Sequence, residues 1–332
     1  MEHHFIPFDQ LFLKPEDPLV PATEHIAPVE QLPPPRIIWL DEAESTHTLL
    51  KEAEEYSDIP PYTMVAARRQ TRGRGQRGNS WESEDYRNLT FSMAAAPDWL
   101  HPAQQFALSE AMALAIVGLL REYGIKTTVK WPNDIYAGHR KICGILIDHS
   151  ICGGLIARSI LSAGLNVNQL HFRSDAPNPV SMLSLLPDGT PEIEIEPLAQ
   201  RLQQYIIRLT ALTRTALGRL RLHDTFMQHL YLNDGAPHPF YDHLASERIM
   251  ARITAPRTDG RHPRRDSPPL SLQRGEFHTP RQLQKRLKKR AAQHLLPFGH
   301  IDNQIFFANF AVEKEGRNFP EARCRHLTRC HF

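Results

Sequence analysis

The sequence predicts an α+β fold in which a mixed sheet packs against helices. Strand-like and helix-like segments are interspersed along the chain, without the strict alternation of a parallel α/β sheet. Helical periodicity is clearest at residues 102–123, between a proline in the first turn and a glycine just past the end. A hydrophobic share of 41% is ample for a buried core in a chain of 332 residues.

Each element of this fold is predicted by a local signal. Residues 36–40 read R-I-I-W-L and predict a strand, and residues 41–56 predict a loop followed by a helix. Residues 193–229 predict a mainly helical segment. Further strands are predicted at residues 63–69, 88–95, 127–131, 142–148 and 155–166.

Composition and charge exclude several classes of protein. The formal net charge of +2 is too small to indicate a nucleic-acid or membrane-surface partner. The N-terminus has no secretory signal, and we expect no apolar run to reach the length that crosses a bilayer. The four cysteines form no C-x-x-C pair, and two fall in predicted core strands. These features predict a reducing, cytoplasmic location.

The chain is expected to divide into four regions. Residues 1–35 form a proline-rich leader that is too short for a winged-helix DNA-binding domain. Residues 36–230 form the large α+β domain, and residues 231–278 begin a small β domain. Residues 279–332 form an irregular basic tail.

A segment that alternates glycine with arginine marks the candidate site. Residues 70–81, the glycine loop, read Q-T-R-G-R-G-Q-R-G-N-S-W after a predicted strand. Glycine lets the backbone approach a ligand closely, and arginine supplies donors for phosphate or carboxylate. The loop lacks the G-K-[ST] ending of a Walker A motif and the G-x-G-x-x-G dinucleotide fingerprint. We interpret it as an anion-binding loop; a solvated surface loop or an RNA-binding arginine–glycine segment also fits it in isolation.

A second candidate segment places a lysine next to a turn. Residues 129–135 read V-K-W-P-N-D-I. Pro132 ends strand pairing, and Asn133 and Asp134 favour a turn. Such a turn would hold the ammonium group of Lys130 at the sheet edge, where it can stabilise charge developing between a carboxylate and an α-phosphate. Taken alone, the lysine is equally well read as an ordinary exposed residue.

Together these segments resemble the biotin protein ligases. The resemblance covers residues 36–182 and implies the class II synthetase-like fold of biotin and lipoate ligases, with a small SH3-like β domain after it. It also implies a short form of the family, without the DNA-binding domain. Two positions depart from the family pattern: His47 replaces the asparagine of a Ser-Thr-Asn motif, and Gln76 replaces a frequent arginine in the glycine loop.

The resemblance implies a role for each matching residue. Lys130 and Arg74 would be the catalytic residues. The biotin-binding residues would be Ser45, Thr46, His47, Gln70, Arg74, Gly75, Gln76 and Lys130. The nucleotide-binding residues would be Arg72, Gly73, Arg77, Trp81, Asn133, Lys141 and Asn166. The resemblance gives no position for a metal ligand.

The activity that the resemblance implies is ATP-dependent biotinylation of a lysine on a biotin carboxyl carrier protein, through biotinyl-AMP. ATP with Mg²⁺ and biotin are the expected ligands, with no specific DNA and no membrane as partner; a homodimer is compatible. Lipoate–protein ligase-like acyl transfer is the alternative within the same fold, although the Arg-Arg-x-x-Gly-Gly-Gly loop of those enzymes is missing. From another class, a nucleic-acid-binding protein could use the glycine loop and the basic run at residues 281–290.

The sequence pattern changes after Gly260. Residues 261–269 have neither strand nor helix periodicity, and the family's terminal strand pattern, aromatic-x-Glu-Val-x-Phe, is missing. Permitted codons for residues 272–278, read one nucleotide later, encode Phe-Ser-Glu-Val-Asn-Phe. We therefore expect that the SH3-like domain is disrupted and that residues 279–332 are translated out of frame; a divergent genuine tail is the alternative.

Overall fold

The computed structural model describes residues 36–56, 59–174, 178–242, 247–254 and 271–274. These residues divide into two compact units. The larger unit consists of the described residues up to Ala236 together with residues 252–254. The smaller unit consists of the other described residues, from Pro237 onwards. The predicted leader and the predicted out-of-frame tail both lie outside the described residues.

A mixed sheet is the centre of the larger unit. Its strands are β1 (Ile37–Ala43), β2 (Met64–Gln70), β3 (Leu89–Ala95), β4 (Thr128–Lys130), β5 (Asp134–Ala137), β6 (Arg140–Cys152) and β7 (Leu155–Leu165). Their order across the sheet is β1-β2-β3-β7-β6-β5-β4. β1 and β2 run parallel, whereas the other neighbouring pairs are antiparallel. The mixed sheet packed with helices confirms the α+β prediction.

The described residues contain four α-helices: α1 (Thr46–Tyr56), α2 (Phe106–Glu122), α3 (Ile195–Leu212) and α4 (Ala216–Gln228). α2 contacts α3, α4 and strands β4 to β6, and its buried residues surround the helix axis. By length and composition alone, Pro102–Glu122 could cross a membrane, which corrects the expectation that no apolar run reaches that length. Its apolar window is 72% buried inside the protein, as in the core helix of a folded domain.

Two helix ends are set by single residues. Gly124, with a φ of 73°, follows the end of α2, as the sequence predicted. Residues 193–229 do not form one helix, because the chain breaks between α3 and α4. There the side chain of Thr215 accepts a hydrogen bond from the N–H of Gly218 at 2.9 Å, which caps the start of α4.

A second sheet has three strands, β8 (His238–Asp242), β9 (Glu247–Thr254) and β10 (Ser271–Arg274), in the order β10-β9-β8. β8 and β9 are antiparallel. The three strands fall within the predicted β region of residues 231–278. Its SH3-like character stays a prediction, and the frame change proposed after Gly260 falls mainly on residues outside the described part.

Candidate functional site

A cleft lies beside the central strands of the seven-stranded sheet and encloses about 460 Å³ of space, which includes open solvent at its mouth. The lining residues come from the start of α1, the glycine loop, the turn before β5 and strands β3, β6 and β7: Ser45, Thr46, His47, Gln70, Arg74, Gly75, Gln76, Trp81, Phe91, Asn133, Lys141, Gly144, Ile145, Leu146, Ser162, Ala163 and Gly164.

The start of α1 presents buried hydroxyl groups to the cleft. Ser45 and Thr46 each retain only 3% of their exposure. The N–H of Thr48 donates a long hydrogen bond of 3.5 Å to Ser45 Oγ, and the N–H of Thr46 donates to Gln70 Oε1 at 2.8 Å. The second bond fixes the Gln70 amide with its NH₂ group turned away from Thr46, as a donor for a ligand in the cleft.

Backbone contacts close the glycine loop. The N–H of Trp81 donates to the carbonyl of Gly73 at 2.9 Å. A Cβ atom on Gly73 would lie 2.4 Å from the carbonyl oxygen of Trp81, so a larger residue cannot be accommodated here without a shift of the backbone. The guanidinium of Arg74 donates to Thr48 Oγ1 at 3.3 Å, which brings this cation next to the first turn of α1.

The other residues of the loop have different positions. Arg72 pairs with Glu44 at 3.5 Å on the surface and does not line the cleft. Gln76 lines the cleft and begins a short helical turn that also contains Arg77, whose side chain lies outside the described part of the structure. The loop therefore supplies Arg74 as its described cation at the cleft.

The indole of Trp81 lies directly on two glycines of the sheet. Gly144 in β6 and Gly164 in β7 are register partners. A Cβ atom would approach the indole to 2.3 Å at Gly164 and to 3.0 Å at Gly144. Trp81 Nε1 has no hydrogen-bond partner among the described residues, although it is buried. The ring thus forms a flat wall of the cleft, packed against the two glycines.

The structure places Lys130 beside the cleft residues but not among them. Its ammonium donates to the hydroxyl of Tyr136 at 3.1 Å and lies 5.0 Å from the centre of that ring. Burial lowers the pKa of Lys130, with Asp134 opposing this shift and Lys141 adding to it. The catalytic role that the resemblance implies for Lys130 stays a prediction.

Lys141 and the turn before β5 do line the cleft. The ammonium of Lys141 pairs with Asp134 at 2.7 Å and lies 5.4 Å from the centre of the Trp81 ring. The side-chain amide of Asn133 donates to the carbonyl of Ile145 at 3.0 Å, and the N–H of Ile145 donates to the carbonyl of Asn133 at 2.8 Å. These paired bonds hold the turn against β6, so the cation of Lys141 is fixed at the cleft.

A chain of hydrogen bonds runs beneath the cleft from Thr46 to a surface carboxylate. Thr46 Oγ1 bonds to Ser92 Oγ at 2.9 Å, and Ser92 Oγ bonds to Ser162 Oγ at 2.7 Å. His47 continues the chain, with Nδ1 2.8 Å from Ser162 Oγ and Nε2 3.1 Å from Asp148 Oδ2. We call Thr46, Ser92, Ser162 and His47, all of them buried, the hydroxyl chain.

Electrostatics keep His47 and its partner Asp148 in different charge states. Burial lowers the pKa of His47; Asp148 opposes this effect, and Lys51 and Arg74 add to it. Burial alone would raise the pKa of Asp148, but hydrogen bonds from Lys51 and His47 lower it. At neutral pH the imidazole is therefore neutral and the carboxylate is ionised.

Sequence reasoning found the polar residues that line the cleft, except Ser162. The cleft brings together ten of the predicted site residues: Ser45, Thr46, His47, Gln70, Arg74, Gly75, Gln76, Trp81, Asn133 and Lys141. Arg72, Gly73, Lys130 and Asn166 lie outside its lining. Ser92, which contacts Ser162 beneath the cleft, was missed as well, and for both residues the signal was a buried polar side chain in a largely apolar strand. Asp148, also missed, is a half-exposed carboxylate of β6.

No group of three or more His, Cys, Asp or Glu side chains with metal-binding geometry occurs within the described residues. The cleft is instead lined by hydroxyls, amides, glycines and cations. Such a set suits an anionic ligand rather than a divalent cation.

All the cleft-lining residues fall within residues 39–166, which match the model of the Biotin/lipoate A/B protein ligase family. The chain resembles in particular the proteins of this family that act on biotin.

The chain is similar to several curated biotin ligases over this segment. It is 33% identical over 134 residues to the bifunctional ligase/repressor BirA of Bacillus subtilis, and this segment covers 40% of this chain and 41% of that protein. It is 31% identical over 147 residues to the biotin–[acetyl-CoA-carboxylase] ligase of Mycobacterium tuberculosis, and this segment covers 41% of this chain and 50% of that protein. The chain thus spans about half or less of the length of these relatives.

Solved structures share the fold over a longer stretch. The biotin protein ligase of Aquifex aeolicus in complex with biotin and ATP has a TM-score of 0.54 and 21% identity, covering 72% of this chain and 99% of that chain. The ligase of Leishmania major in complex with biotinyl-5-AMP has a TM-score of 0.50 and 19% identity, covering 74% and 98%. These likenesses establish the fold.

Proposed function

We propose that this cleft forms biotinyl-AMP from biotin and ATP, and that the biotin is then transferred to a lysine of a biotin carboxyl carrier protein. The observation that carries the proposal is the composition of one cleft within the ligase-family domain. Buried hydrogen-bonding groups, including those of Thr46 and Gln70, lie in the same cleft as the cations of Arg74 and Lys141. A polar ring with an anionic tail needs both kinds of group.

The first step joins two anions. An oxygen of the biotin carboxylate attacks the α-phosphorus of ATP, the bond to the β-phosphate oxygen breaks, and pyrophosphate leaves. Arg74, Lys130 and Lys141 would stabilise the negative charge of this transition state. Mg²⁺ would accompany the phosphates of ATP and supply further positive charge, held mainly by phosphate oxygens and water.

The second step transfers the biotinyl group. The amine of the carrier lysine attacks the carbonyl carbon of the mixed anhydride, and AMP leaves. Water must be kept from the anhydride until the carrier arrives, and a loop that folds over the adenylate can exclude it. The glycine loop, closed by the bond between Gly73 and Trp81, is the element of this chain that can cover the ligand.

The polar wall of the cleft favours biotin over lipoate. Thr46, Ser92 and Ser162 are buried, and the Gln70 amide is oriented by a backbone N–H. The three hydroxyls bond to one another, but Thr46 Oγ1 keeps a lone pair and the Gln70 amide keeps its NH₂ group for a ligand. A ureido ring can pair with both groups, whereas the disulfide ring of lipoate has no comparable donor or acceptor, at a cost of about 1–3 kcal/mol for each group. The near-neutral net charge gives no support to a nucleic-acid-binding role. The proposal assigns the protein to the cytoplasm, with no role for specific DNA or a membrane, and is compatible with a homodimer.

Biotin-dependent exchange of pyrophosphate into ATP tests the first step. We expect exchange with biotin and little or none with lipoate or octanoate at equal concentration. The addition of a purified carrier protein should then consume the adenylate and label one lysine, detected by mass spectrometry. Exchange that requires lipoate instead of biotin, or the absence of exchange with any of the three acids, would contradict the proposal.

A further inference from the structure

The residue at position 47 differs from the asparagine of the resembling family, and its contacts give it a specific task. We propose that His47 is a positioning residue that sets the hydrogen-bond polarity of Thr46, so that the hydroxyl chain presents an acceptor to the N–H group of a cyclic urea. The proposal rests on the proposed function for the identity of the ligand. It adds the residue that sets the direction of the hydrogen bonds in the hydroxyl chain.

The tautomer of His47 follows from its two partners. An ionised Asp148 only accepts hydrogen bonds, so the His47 nitrogen that faces it, Nε2, must carry the hydrogen. In the neutral ring Nδ1 is then an acceptor, and Ser162 Oγ, 2.8 Å away, must donate to it. Lys51, which pairs with the same carboxylate at 3.0 Å, keeps Asp148 ionised.

One donated hydrogen fixes the direction of the whole chain, because each hydroxyl has a single hydrogen to donate. Ser162 uses its hydrogen on His47 and therefore accepts from Ser92. Ser92 has then used its own hydrogen and must accept from Thr46. With the imidazole neutral, Thr46 Oγ1 has only a lone pair left for a ligand.

Protonation of His47 would remove the acceptor that fixes this direction. Nδ1 would then donate to Ser162, which frees Ser162 to donate to Ser92 and Ser92 to donate to Thr46, and Thr46 to turn its own hydrogen toward the cleft. The NH₂ group of Gln70 is already a donor there. The cleft would therefore present two donors to the ligand and lose the acceptor that a urea N–H requires.

The same contacts argue against a nucleophilic role for Ser162. A serine nucleophile needs nearby N–H donors for the oxyanion of its intermediate. Ser162 lies in the middle of β7, where it pairs with Ser92 of β3 on one side and with Leu146 of β6 on the other. The backbone N–H groups around it are committed to the sheet.

Three charged groups face the His47 ring. Asp148 of β6 favours the protonated form, and Lys51 of α1 and Arg74 of the glycine loop oppose it. Burial also opposes protonation of His47. At neutral pH the hydroxyl chain therefore keeps the direction in which Thr46 Oγ1 is an acceptor for the ligand. Affinity for a urea ligand should therefore be full above the pKa of His47 and fall as the pH drops through it.

Calorimetric titration with biotinamide, which has no carboxylate to titrate, tests this dependence between about pH 5 and pH 8. Below the pKa of His47, the affinity of the wild-type protein should fall about tenfold per pH unit. His47→Asn should abolish this fall, because a carboxamide can accept from Ser162 and donate to Asp148 without titrating. A second histidine that also contacts a serine provides the control: His149 Nδ1 lies 2.8 Å from Ser159 Oγ, outside the cleft lining, and His149→Asn should keep the fall in affinity.

Nitrogen-15 NMR of histidine-labelled protein reads the tautomer without a ligand. We expect hydrogen on Nε2 of His47 and none on Nδ1 at pH values where the ring is neutral. Hydrogen on Nδ1 would overturn the proposal, and so would biotinamide affinity that stays constant through the pH at which NMR shows His47 to protonate. If biotinamide binds to neither protein at any pH, the proposed function fails, while the tautomer still decides whether the hydroxyl chain has the assigned direction.

Discussion

The ammonium groups of Lys130 and Lys141 have different surroundings. Lys130 donates to the Tyr136 hydroxyl, and Lys141 is paired with Asp134 in the lining of the cleft. The carboxylate of Asp134 pairs directly with Lys141 and also favours the charged form of Lys130. The resemblance implies that Lys130 is the residue that supplies positive charge to the two reacting anions, so its removal is the first test.

Removal of Lys130 provides the residue-scale prediction. Lys130→Ala should lower biotin-dependent pyrophosphate exchange by about 10²–10³, the typical cost of losing one preorganised charge at a transition state. Lys126→Ala removes the same charge from an exposed nearby position and is the matched control, with exchange expected to stay near the wild-type rate. Circular dichroism should show both variants folded. Near-normal exchange in Lys130→Ala would contradict the catalytic role of Lys130 and would favour Lys141 as the cation that stabilises the transition state.

At the scale of elements, one wall of the cleft is the indole of Trp81, which packs on β6 and β7 at two positions where each strand has a glycine. A methyl group at position 164 would overlap the indole, at 2.3 Å, whereas one at position 144 would meet it at 3.0 Å. The wall is therefore specified by a pair of glycines in register on neighbouring strands. Neither glycine needs a positive φ, so any cost of substitution comes from the contact with Trp81.

A double-mutant cycle tests this wall. Gly164→Ala should lower the free energy of unfolding by about 1–3 kcal/mol, as is usual for overpacking, and should weaken exchange by displacing the ring. Gly144→Ala should cost less, since its Cβ would meet the indole at 3.0 Å, and its other close neighbour is the flexible end of Lys141. In a Trp81→Ala background the cost of Gly164→Ala should largely disappear. If Gly164→Ala lowers the free energy of unfolding equally in both backgrounds, contact with the indole is not the reason that position 164 needs a glycine.

Local signals predicted the elements better than they predicted contacts between elements. The helix at 102–123 and the strands that flank the cleft could be assigned because periodicity and caps are properties of adjacent residues. The hydroxyl chain could not, because Ser92, Ser162 and His47 lie on β3, β7 and α1, far apart in sequence. Their contact depends on strand order, and the order β3-β7-β6 follows from no local pattern.

At the scale of the whole molecule, the cleft belongs to one compact unit. All the cleft-lining residues lie between Ser45 and Gly164, within the larger unit. That unit needs the segment after α4, because Val129 of edge strand β4 exchanges hydrogen bonds with His229 and Tyr231 at 2.7 and 2.9 Å. The strand that carries Lys130 is therefore supported by the last residues of the larger unit.

These contacts predict where the chain can be shortened. A protein of residues 36–236 should fold and catalyse biotin-dependent pyrophosphate exchange within about threefold of the full chain, a barrier change of less than about 1 kcal/mol. A protein of residues 36–214 should be unfolded or inactive, since it loses α4, whose Phe226 is buried and packs edge-on against Phe106 at 5.6 Å, together with the support of β4. Thermal unfolding and exchange measured on the two fragments and the full chain check this prediction. A folded protein of residues 36–236 without exchange would show that adenylate formation needs residues beyond Ala236, and would make the frame of the sequence after Gly260 the next feature to examine by resequencing the DNA.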